Sequence, residues 1–281
     1  MKYTVLFKTI GLIILVASAC DIERSLDYEI PGQPERIVST GFIGQRQKVE
    51  VFVSKTHHPL SVEEDSPLEA QVDLFENNLL IDQLTPNDEG IYMSTLGFSP
   101  DTGKEYSIRV KVAGLPEIVS LPETMPEIVK IENIEYVFND NNEILISVTF
   151  QDPPENNYYG LKVIRSYNDT LISSHDVNNN LFKDLDVYND DLFNSKRHKI
   201  ERKIHMSAGR VDNQPIYYNQ LEVRLISLSE AGYKFLINIH EMDYTSGDMF
   251  TSPTRIYSNI KGGYGIFAAY SEDIIKIEIE R

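Results

Sequence analysis

The 281-residue sequence contains one cysteine, no tryptophan and far fewer basic than acidic residues. A single cysteine excludes an intramolecular disulfide framework and a metal site built on several thiolates. With 26 Lys and Arg against 43 Asp and Glu, the formal net charge is −17. Such a surface repels nucleic-acid phosphates and anionic lipid headgroups, so we expect no nucleic-acid partner and no purely electrostatic membrane binding.

The sequence also lacks a long hydrophobic run at its start. The uncharged segment 9–20 spans 12 residues, whereas a membrane-spanning helix needs about 20. It follows Lys2 and Lys8 and ends in small residues, which is typical of a secretory signal peptide. We therefore predict a lipoprotein-type signal peptide over residues 1–19 rather than a transmembrane anchor.

The single cysteine, Cys20, stands directly after those small residues. The order Val16-Ala17-Ser18-Ala19-Cys20 resembles a bacterial lipobox, in which the thiol is diacylated and the amine freed by cleavage is acylated. Several acyl chains, at about 0.8 kcal/mol for each buried methylene, would hold the chain on a membrane. We predict lipidation at Cys20. The alternative is a buried or incidental thiol, because cysteine packs as a small hydrophobe.

Turn-forming residues divide the rest of the N-terminal half into predicted segments. Residues 20–33 have no hydrophobic period and are predicted to be a lipidated tether. Short alternating segments then predict an immunoglobulin-like or transthyretin-like β-sandwich over residues 34–114. Repeated prolines in residues 115–130 disfavour helix and central strand, so an extended linker is expected there. These prolines are Pro116, Pro122 and Pro126.

Residues 131–281 are predicted to form a second β-rich domain. Apolar residues alternate again, and residues 178–198 are polar and turn-rich, which indicates long loops. One helix is expected near residues 229–241, where Ser229 can cap and apolar residues recur at helical spacing. The predicted fold class is therefore all-β, mainly strand with one clear helix.

Four aspartates of the loop region carry the oxygen ligands that calcium prefers. They are Asp184, Asp186, Asp190 and Asp191. The glycine at the sixth position and the terminal glutamate of an EF-hand loop are absent. A calcium site and a solvated acidic loop are the two interpretations of this series.

No motif of catalysis or cofactor binding is present: Gly-x-Ser-x-Gly, His-Glu-x-x-His and a phosphate-binding loop are all missing. His57 and His58 are adjacent, so on a strand they would face opposite sides, and two exposed histidines are expected. His198 and His205 stand among basic residues, which disfavours a divalent cation. His240 falls on the apolar face of the predicted helix. We therefore predict no catalytic residue, no cofactor and, apart from the candidate calcium aspartates, no metal ligand.

The glycine-rich segment 261–265, KGGYG, lacks the strand, the Lys-Ser/Thr ending and the following helix of a phosphate cradle. Its glycines are expected to supply positive φ or close backbone approach. Gly262, Gly263 and Tyr264 are candidate partner contacts, because exposed turns on a rigid scaffold often carry binding residues.

One three-residue pattern indicates a modification. Asp169-Thr170-Leu171 resembles the Asp-Ser/Thr-aliphatic acceptor of periplasmic O-glycosylation in Bacteroidota, which makes Thr170 a candidate glycosylation site. The mass of the intact native protein would show whether Thr170 carries a glycan.

Several phrases follow one another along nearly the whole mature chain: VSTGFIG, EAQVDLFEN, DEGIY, TGKEYSIRV, VTFQDPPENNYYGLKV, LSEAGYKFL and SNIKGGYGIFAAYSED. Their order resembles the Bacteroidota lipoproteins grouped as domain-of-unknown-function family 4249. The most specific parts are the phrase from Phe150 to Tyr159 and the phrase from Asn259 to Phe267. The resemblance implies an outer-membrane lipoprotein, often encoded beside TonB-dependent receptors, and it supplies no catalytic residues.

The anchor, the missing catalytic motifs and the resemblance together favour a binding or accessory subunit of a TonB-dependent, SusC-like nutrient uptake system. Acids after Cys20 resemble surface-export signals, so the cell surface is preferred over the periplasmic face of the outer membrane; they are Asp21, Glu23 and Asp27. A surface adhesion or structural module is the first alternative. A hydrolase that uses loop carboxylates is the second, because acids are plentiful.

Overall fold

The computed structural model describes residues 34–46, 49–58, 66–97, 99–139, 142–168, 170, 182, 185–211, 214–245 and 255–280. Across these residues the chain is mainly strand, with one helix, so the predicted all-β class is confirmed. Within the same ranges, no helix is long and apolar enough to cross a membrane.

The N-terminal half forms eight short strands separated by turns. They are β1 (Ile37–Gly44), β2 (Glu50–Lys55), β3 (Ala70–Glu76), β4 (Leu79–Pro86), β5 (Tyr92–Met93), β6 (Glu105–Val112), β7 (Ile118–Ser120) and β8 (Glu123–Thr124). Alternation places Val51 and Val53 of β2 and Ile108 and Val110 of β6 in the interior, as the period-two pattern predicts.

The C-terminal half adds ten strands and the helix. They are β9 (Ile131–Asn139), β10 (Glu143–Gln151), β11 (Tyr158–Ser166), β12 (Asp186–Asn189), β13 (Arg197–His205), β14 (Ser207–Val211), β15 (Gln214–Tyr217), β16 (Gln220–Leu228), α1 (Glu230–Thr245), β17 (Ile260–Lys261) and β18 (Tyr264–Glu278). Ser229 precedes the helix, and its hydroxyl accepts the N–H of Gly232 at 3.4 Å, so it lies at the predicted cap position.

One sheet of 13 strands runs through the molecule in the order β12-β11-β16-β18-β1-β2-β5-β4-β3-β6-β7-β17, with β8 beside β6. A second sheet has the order β13-β10-β9, and β14 and β15 form a hairpin. The first and last long strands meet in the middle of the large sheet: β1 and β18 are parallel, with Val38 opposite Tyr264.

Strand β18 contributes side chains to four apolar clusters of the described residues, one of them through Tyr270. Phe267 and Ala269 lie in the first core, among the buried residues of β1 to β7. The opposite face of the same segment, Ile266 and Ala268, packs against Ala231 of helix α1. Further along, the strand pairs with β16, and Ile275 packs against the second core, which β10, β11, β13 and β16 dominate. The last strand therefore has contacts with both halves, and the predicted domain boundaries stay predictions.

The segment 115–130, predicted as an extended linker, contains β7 and β8 and is hydrogen-bonded to the last strand. The Ser271 hydroxyl donates to the carbonyl of Glu127 at 3.0 Å. Asp273 accepts the backbone N–H of Ile131 at 2.9 Å and pairs with Lys130 at 2.7 Å. These bonds to β18 fix the position of the segment on the sheet.

Asp152 holds the loop after β10 to the turn before β13. It is 2% exposed and accepts the Tyr159 hydroxyl through one oxygen and the Ser195 N–H, at 2.7 Å, through the other. Burial raises the pKa of Asp152, against the opposing effect of these hydrogen bonds. The phrase from Phe150 to Tyr159 therefore builds a structural connection.

The closing turn brings two backbones too close for side chains. Gly262 and Gly265 have φ of +87° and +114°. A Cβ on Gly263 would lie 2.4 Å from the carbonyl oxygen of Ile37, and one on Gly265 would lie 1.9 Å from that of Ser39. Positive φ and close approach are the two roles that the sequence predicts for these glycines.

We expect Gly265→Ala to lower the free energy of unfolding by about 3 kcal/mol or more, because the backbone must shift and φ is unfavourable for alanine. Urea denaturation measures the change. Gly97→Ala is the matched control, since no atom lies within 4 Å of its Cβ position, and it should change stability by less than about 0.5 kcal/mol. Equal effects would contradict the assigned contact between β1 and β18.

We expect Asp152→Ala to destabilise the fold by about 3 kcal/mol, because the buried Tyr159 hydroxyl and the Ser195 N–H lose their acceptor. Asp152→Asn should cost about 1 kcal/mol, since its amide can serve both groups. The same denaturation series distinguishes the two variants. Equal losses of stability in the two variants would mean that Asp152 stabilises the fold through its charge rather than through its hydrogen bonds.

Candidate functional site

The described aspartates of the acidic series do not form one common site, because each has a different partner. Asp186 pairs with the Arg202 guanidinium at 3.1 Å, and Asp191 accepts the Asn189 amide at 2.7 Å. Asp190 is buried and accepts the N–H of Asn157 at 2.8 Å. Asp184 lies outside the described residues. No group of three His, Cys, Asp or Glu side chains suited to a metal occurs in the ranges that the structure covers.

Of the histidines named above, His57, His198 and His240 are partly buried, whereas His58 and His205 are exposed. His198 stacks on Phe193, with ring centroids 3.7 Å apart, and burial lowers the pKa of His198 against the opposing charge of Asp152. His240 is half-buried on helix α1.

Other predicted site residues are exposed or lie outside the description. Thr170 is exposed and pairs with Tyr167 in an isolated β-bridge. Tyr264 is 49% exposed, and its ring centroid lies 5.7 Å from the Arg36 guanidinium. Cys20 lies outside the described residues. Lipidation at Cys20, glycosylation at Thr170 and partner binding by Gly262, Gly263 and Tyr264 stay predictions.

A cleft that the sequence patterns do not single out lies where β8, the loop before β11 and the start of helix α1 meet. We call it the Glu123 cleft, and its volume is about 740 Å³, within the usual range for small-ligand sites. Its ionisable lining is four glutamates and two tyrosines: Glu123, Glu127, Glu155, Glu230, Tyr158 and Tyr257. None of the described residues that line it is a Lys, Arg or His.

Glu123 is held by neutral partners. It accepts the side-chain amide of Asn259 at 2.9 Å, and the Ser229 hydroxyl is a second hydrogen-bond partner. Asn259 also bonds the backbone of Phe267 in both directions, at 2.7 and 3.0 Å, which fixes it on β18. Burial raises the pKa of Glu123; its two hydrogen bonds oppose the rise and the charge of Glu230 adds to it.

The other end of the cleft carries an ion pair on the first turn of α1. Glu230 pairs with Lys234 at 2.8 Å, and this hydrogen bond lowers the pKa of Glu230 and raises that of Lys234. The Lys234 ammonium also lies 5.5 Å from the ring centroid of Tyr257. Burial raises the pKa of Tyr257 and of Tyr158, so both hydroxyls stay protonated at neutral pH.

One buried hydroxyl at the cleft has no partner. Ser227, the next-to-last residue of β16, lines the cleft and is 5% exposed. Its Oγ forms no hydrogen bond with any of the residues that the structure describes. Buried polar side chains are normally paired, so this one requires an explanation.

Local sequence signals gave only fragments of this arrangement. The sequence predicts Ser229 as a helix cap, but it places Glu123 in a proline-rich segment expected to be a linker. The bond from Glu123 to Asn259 spans 136 residues, and no periodicity reports so distant a pairing. The phrase from Asn259 to Phe267 was the one available signal, since it contains the residue that positions Glu123.

The family model described as Domain of unknown function (DUF4249) matches residues 23–275. The match covers most of the chain, so the protein belongs to this family. No curated protein matches the sequence.

We expect Glu123→Gln to raise the free energy of unfolding at pH 7, because glutamine keeps the acceptor for Asn259 and removes a charge that burial penalises. The folded pKa of Glu123 lies above its unfolded value, so the penalty is present above the folded pKa and disappears as pH falls toward the unfolded value of about 4.3. The stability difference between variant and wild type should therefore shrink on acidification. Denaturation at several pH values measures it, with Glu278→Gln as a distant, exposed control; a less stable Gln variant at pH 7 would contradict the assignment.

Proposed function

We propose that this member of the DUF4249 family is a lipid-anchored binding protein of the outer membrane, an accessory subunit of a TonB-dependent, SusC-like uptake barrel. The single observation that carries the binding role is the Glu123 cleft, which is large enough for a small ligand and lined by hydrogen-bonding and aromatic groups. The cell surface is the proposed location. The barrel partner is the part of the proposal that rests on the sequence alone.

The anchor is supported by position. Cys20 follows an apolar segment too short to span a bilayer and directly succeeds Ala17, Ser18 and Ala19. The match to the family model begins at residue 23, just after this cysteine. A lipid-anchored protein stays beside an outer-membrane barrel without crossing the membrane itself.

The binding role is supported by how firmly the cleft is built. Its walls come from segments tied to the sheet: Asn259 holds Glu123, Ser271 holds the backbone of Glu127, and Asp190 holds Asn157. A site held this way loses little conformational entropy when a ligand binds. Such preorganisation suits capture of a ligand for delivery to a partner.

A hydrolase remains the second candidate, on one observation. Glu123 and Glu230 face the same cleft, and the pKa of the first is raised while that of the second is lowered. Two carboxyl groups whose pKa values are shifted in opposite directions are typical of an enzyme's general acid and general base. Release of product from a bound ligand, abolished by Glu123→Gln, would favour the enzyme over the binding protein.

We expect gentle detergent extraction of tagged protein from its native outer membrane to recover a TonB-dependent barrel in stoichiometric amount, identified by mass spectrometry. Cys20→Ser should abolish the acylated N-terminal mass, move the protein out of the membrane fraction and remove the barrel from the pull-down. Ser18→Ala is the control, since it keeps a small residue and the cysteine. Recovery of acylated protein without any barrel would overturn the accessory role and favour the adhesion alternative.

A further inference from the structure

We infer that the Glu123 cleft binds the ammonium or guanidinium group of a cationic ligand, either a free polyamine or the basic side chain of a peptide. The inference rests on the binding role proposed above, whose site it specifies, and it does not depend on the barrel partner. Three features lead to it: the sign of the cleft's charge, an unpaired hydroxyl, and a lysine ammonium that contacts two of the lining residues.

The charge of the cleft is negative throughout its lining. Four glutamates line it, and one of them, Glu230, pairs with Lys234. The remaining three, Glu123, Glu127 and Glu155, have no ion pair among the described residues. Bringing an anion into such a site costs free energy, whereas a cation is attracted and its desolvation is offset.

The unpaired hydroxyl of Ser227 supplies a second and different argument. Ser227 is 5% exposed and its oxygen is unbonded among the described residues, so it has lost its water contacts without a replacement, which is unfavourable. An N–H donor from a ligand would satisfy it. Ammonium and guanidinium groups carry three and five such donors, enough to serve Ser227 and a carboxylate together.

Lys234 shows the recognition chemistry within the protein itself. Its ammonium lies 2.8 Å from a Glu230 oxygen and 5.5 Å from the ring centroid of Tyr257. A carboxylate beside an aromatic face is the usual receptor for an organic cation. The pair is exposed, with side chains 46% and 59% accessible, so solvent screens it and a cationic ligand would compete with Lys234 for Glu230 at little cost.

The acidity of the cleft also predicts how binding depends on pH. A bound cation favours the ionised form of Glu123, whose pKa is raised in the free protein by burial. Binding therefore weakens as pH falls through that raised pKa, and it releases protons in the same window. A neutral ligand would show neither effect.

Calorimetric titration of the full-length, detergent-solubilised protein with spermidine tests the inference at low and physiological salt. We expect saturable binding that weakens as salt rises and no binding of 1,6-hexanediol or citrate. An acetylated, amidated Gly-Lys-Gly peptide distinguishes the two sources: tighter binding than spermidine assigns a peptide side chain, and weaker binding assigns a polyamine. Hexanediol or citrate binding as well as spermidine would overturn the cationic class.

Variants separate the site from the general surface charge. Glu123→Gln should weaken spermidine binding by about 10-fold or more. Ser227→Ala should weaken it by about fivefold without loss of stability, since Ser227 has no hydrogen bond to lose among the described residues. Lys234→Met should strengthen binding by about threefold, because a competing cation is removed. Glu278→Gln, far from the cleft, should leave binding unchanged.

The outcomes for the two proposals are distinguishable. A barrel in the pull-down with no spermidine or peptide binding would overturn the cationic class and leave the accessory role standing. Binding that falls equally in Glu123→Gln and Glu278→Gln would also overturn it, because the site would then be the surface as a whole. Cleft-dependent binding without a barrel would support the ligand class and count against the accessory role.

Discussion

The structure depends on one strand that is shared by all its apolar clusters. The first half of β18 is parallel to β1, and its second half is antiparallel to β16, with Tyr270 at the changeover. Because side chains alternate, Phe267 faces the first core while Ile266 faces the helix. A register shift of one residue would reverse these faces and disrupt both contacts together.

The same strand also places the binding surface. Asn259, just before β17, is bonded to the backbone of Phe267 and to Glu123, so the carboxylate takes its position from the sheet. Ser271 and Asp273, later in β18, hold the backbone at Glu127 and Ile131. The cleft is therefore rigid because of β18, although most of its lining belongs to turns and short elements.

The strands and the helix can be predicted from sequence because the spacing of their apolar residues is a local pattern. Alternation in β2, β6 and β10 and the cap at Ser229 agree with the structure. The shared role of β18 was not predictable, since both faces of Ile266 to Tyr270 are buried and the segment shows no alternation. The acidic series around Asp190 was noticed for its composition, yet its described members serve turns and ion pairs. No local pattern indicates the role of Glu123, because its partner Asn259 is far away in sequence.

Comparison of the acids shows why Glu123 is different. Two buried acids face a cation: Asp73 lies 2.8 Å from the Arg109 guanidinium, and Asp273 pairs with Lys130. Glu123 has only a neutral amide and a hydroxyl, and it shares its cleft with three further glutamates. A fold selected for stability alone would place a cation or an apolar residue there. The missing positive charge is what a ligand would bring, and the unpaired Ser227 oxygen beside it has the same requirement.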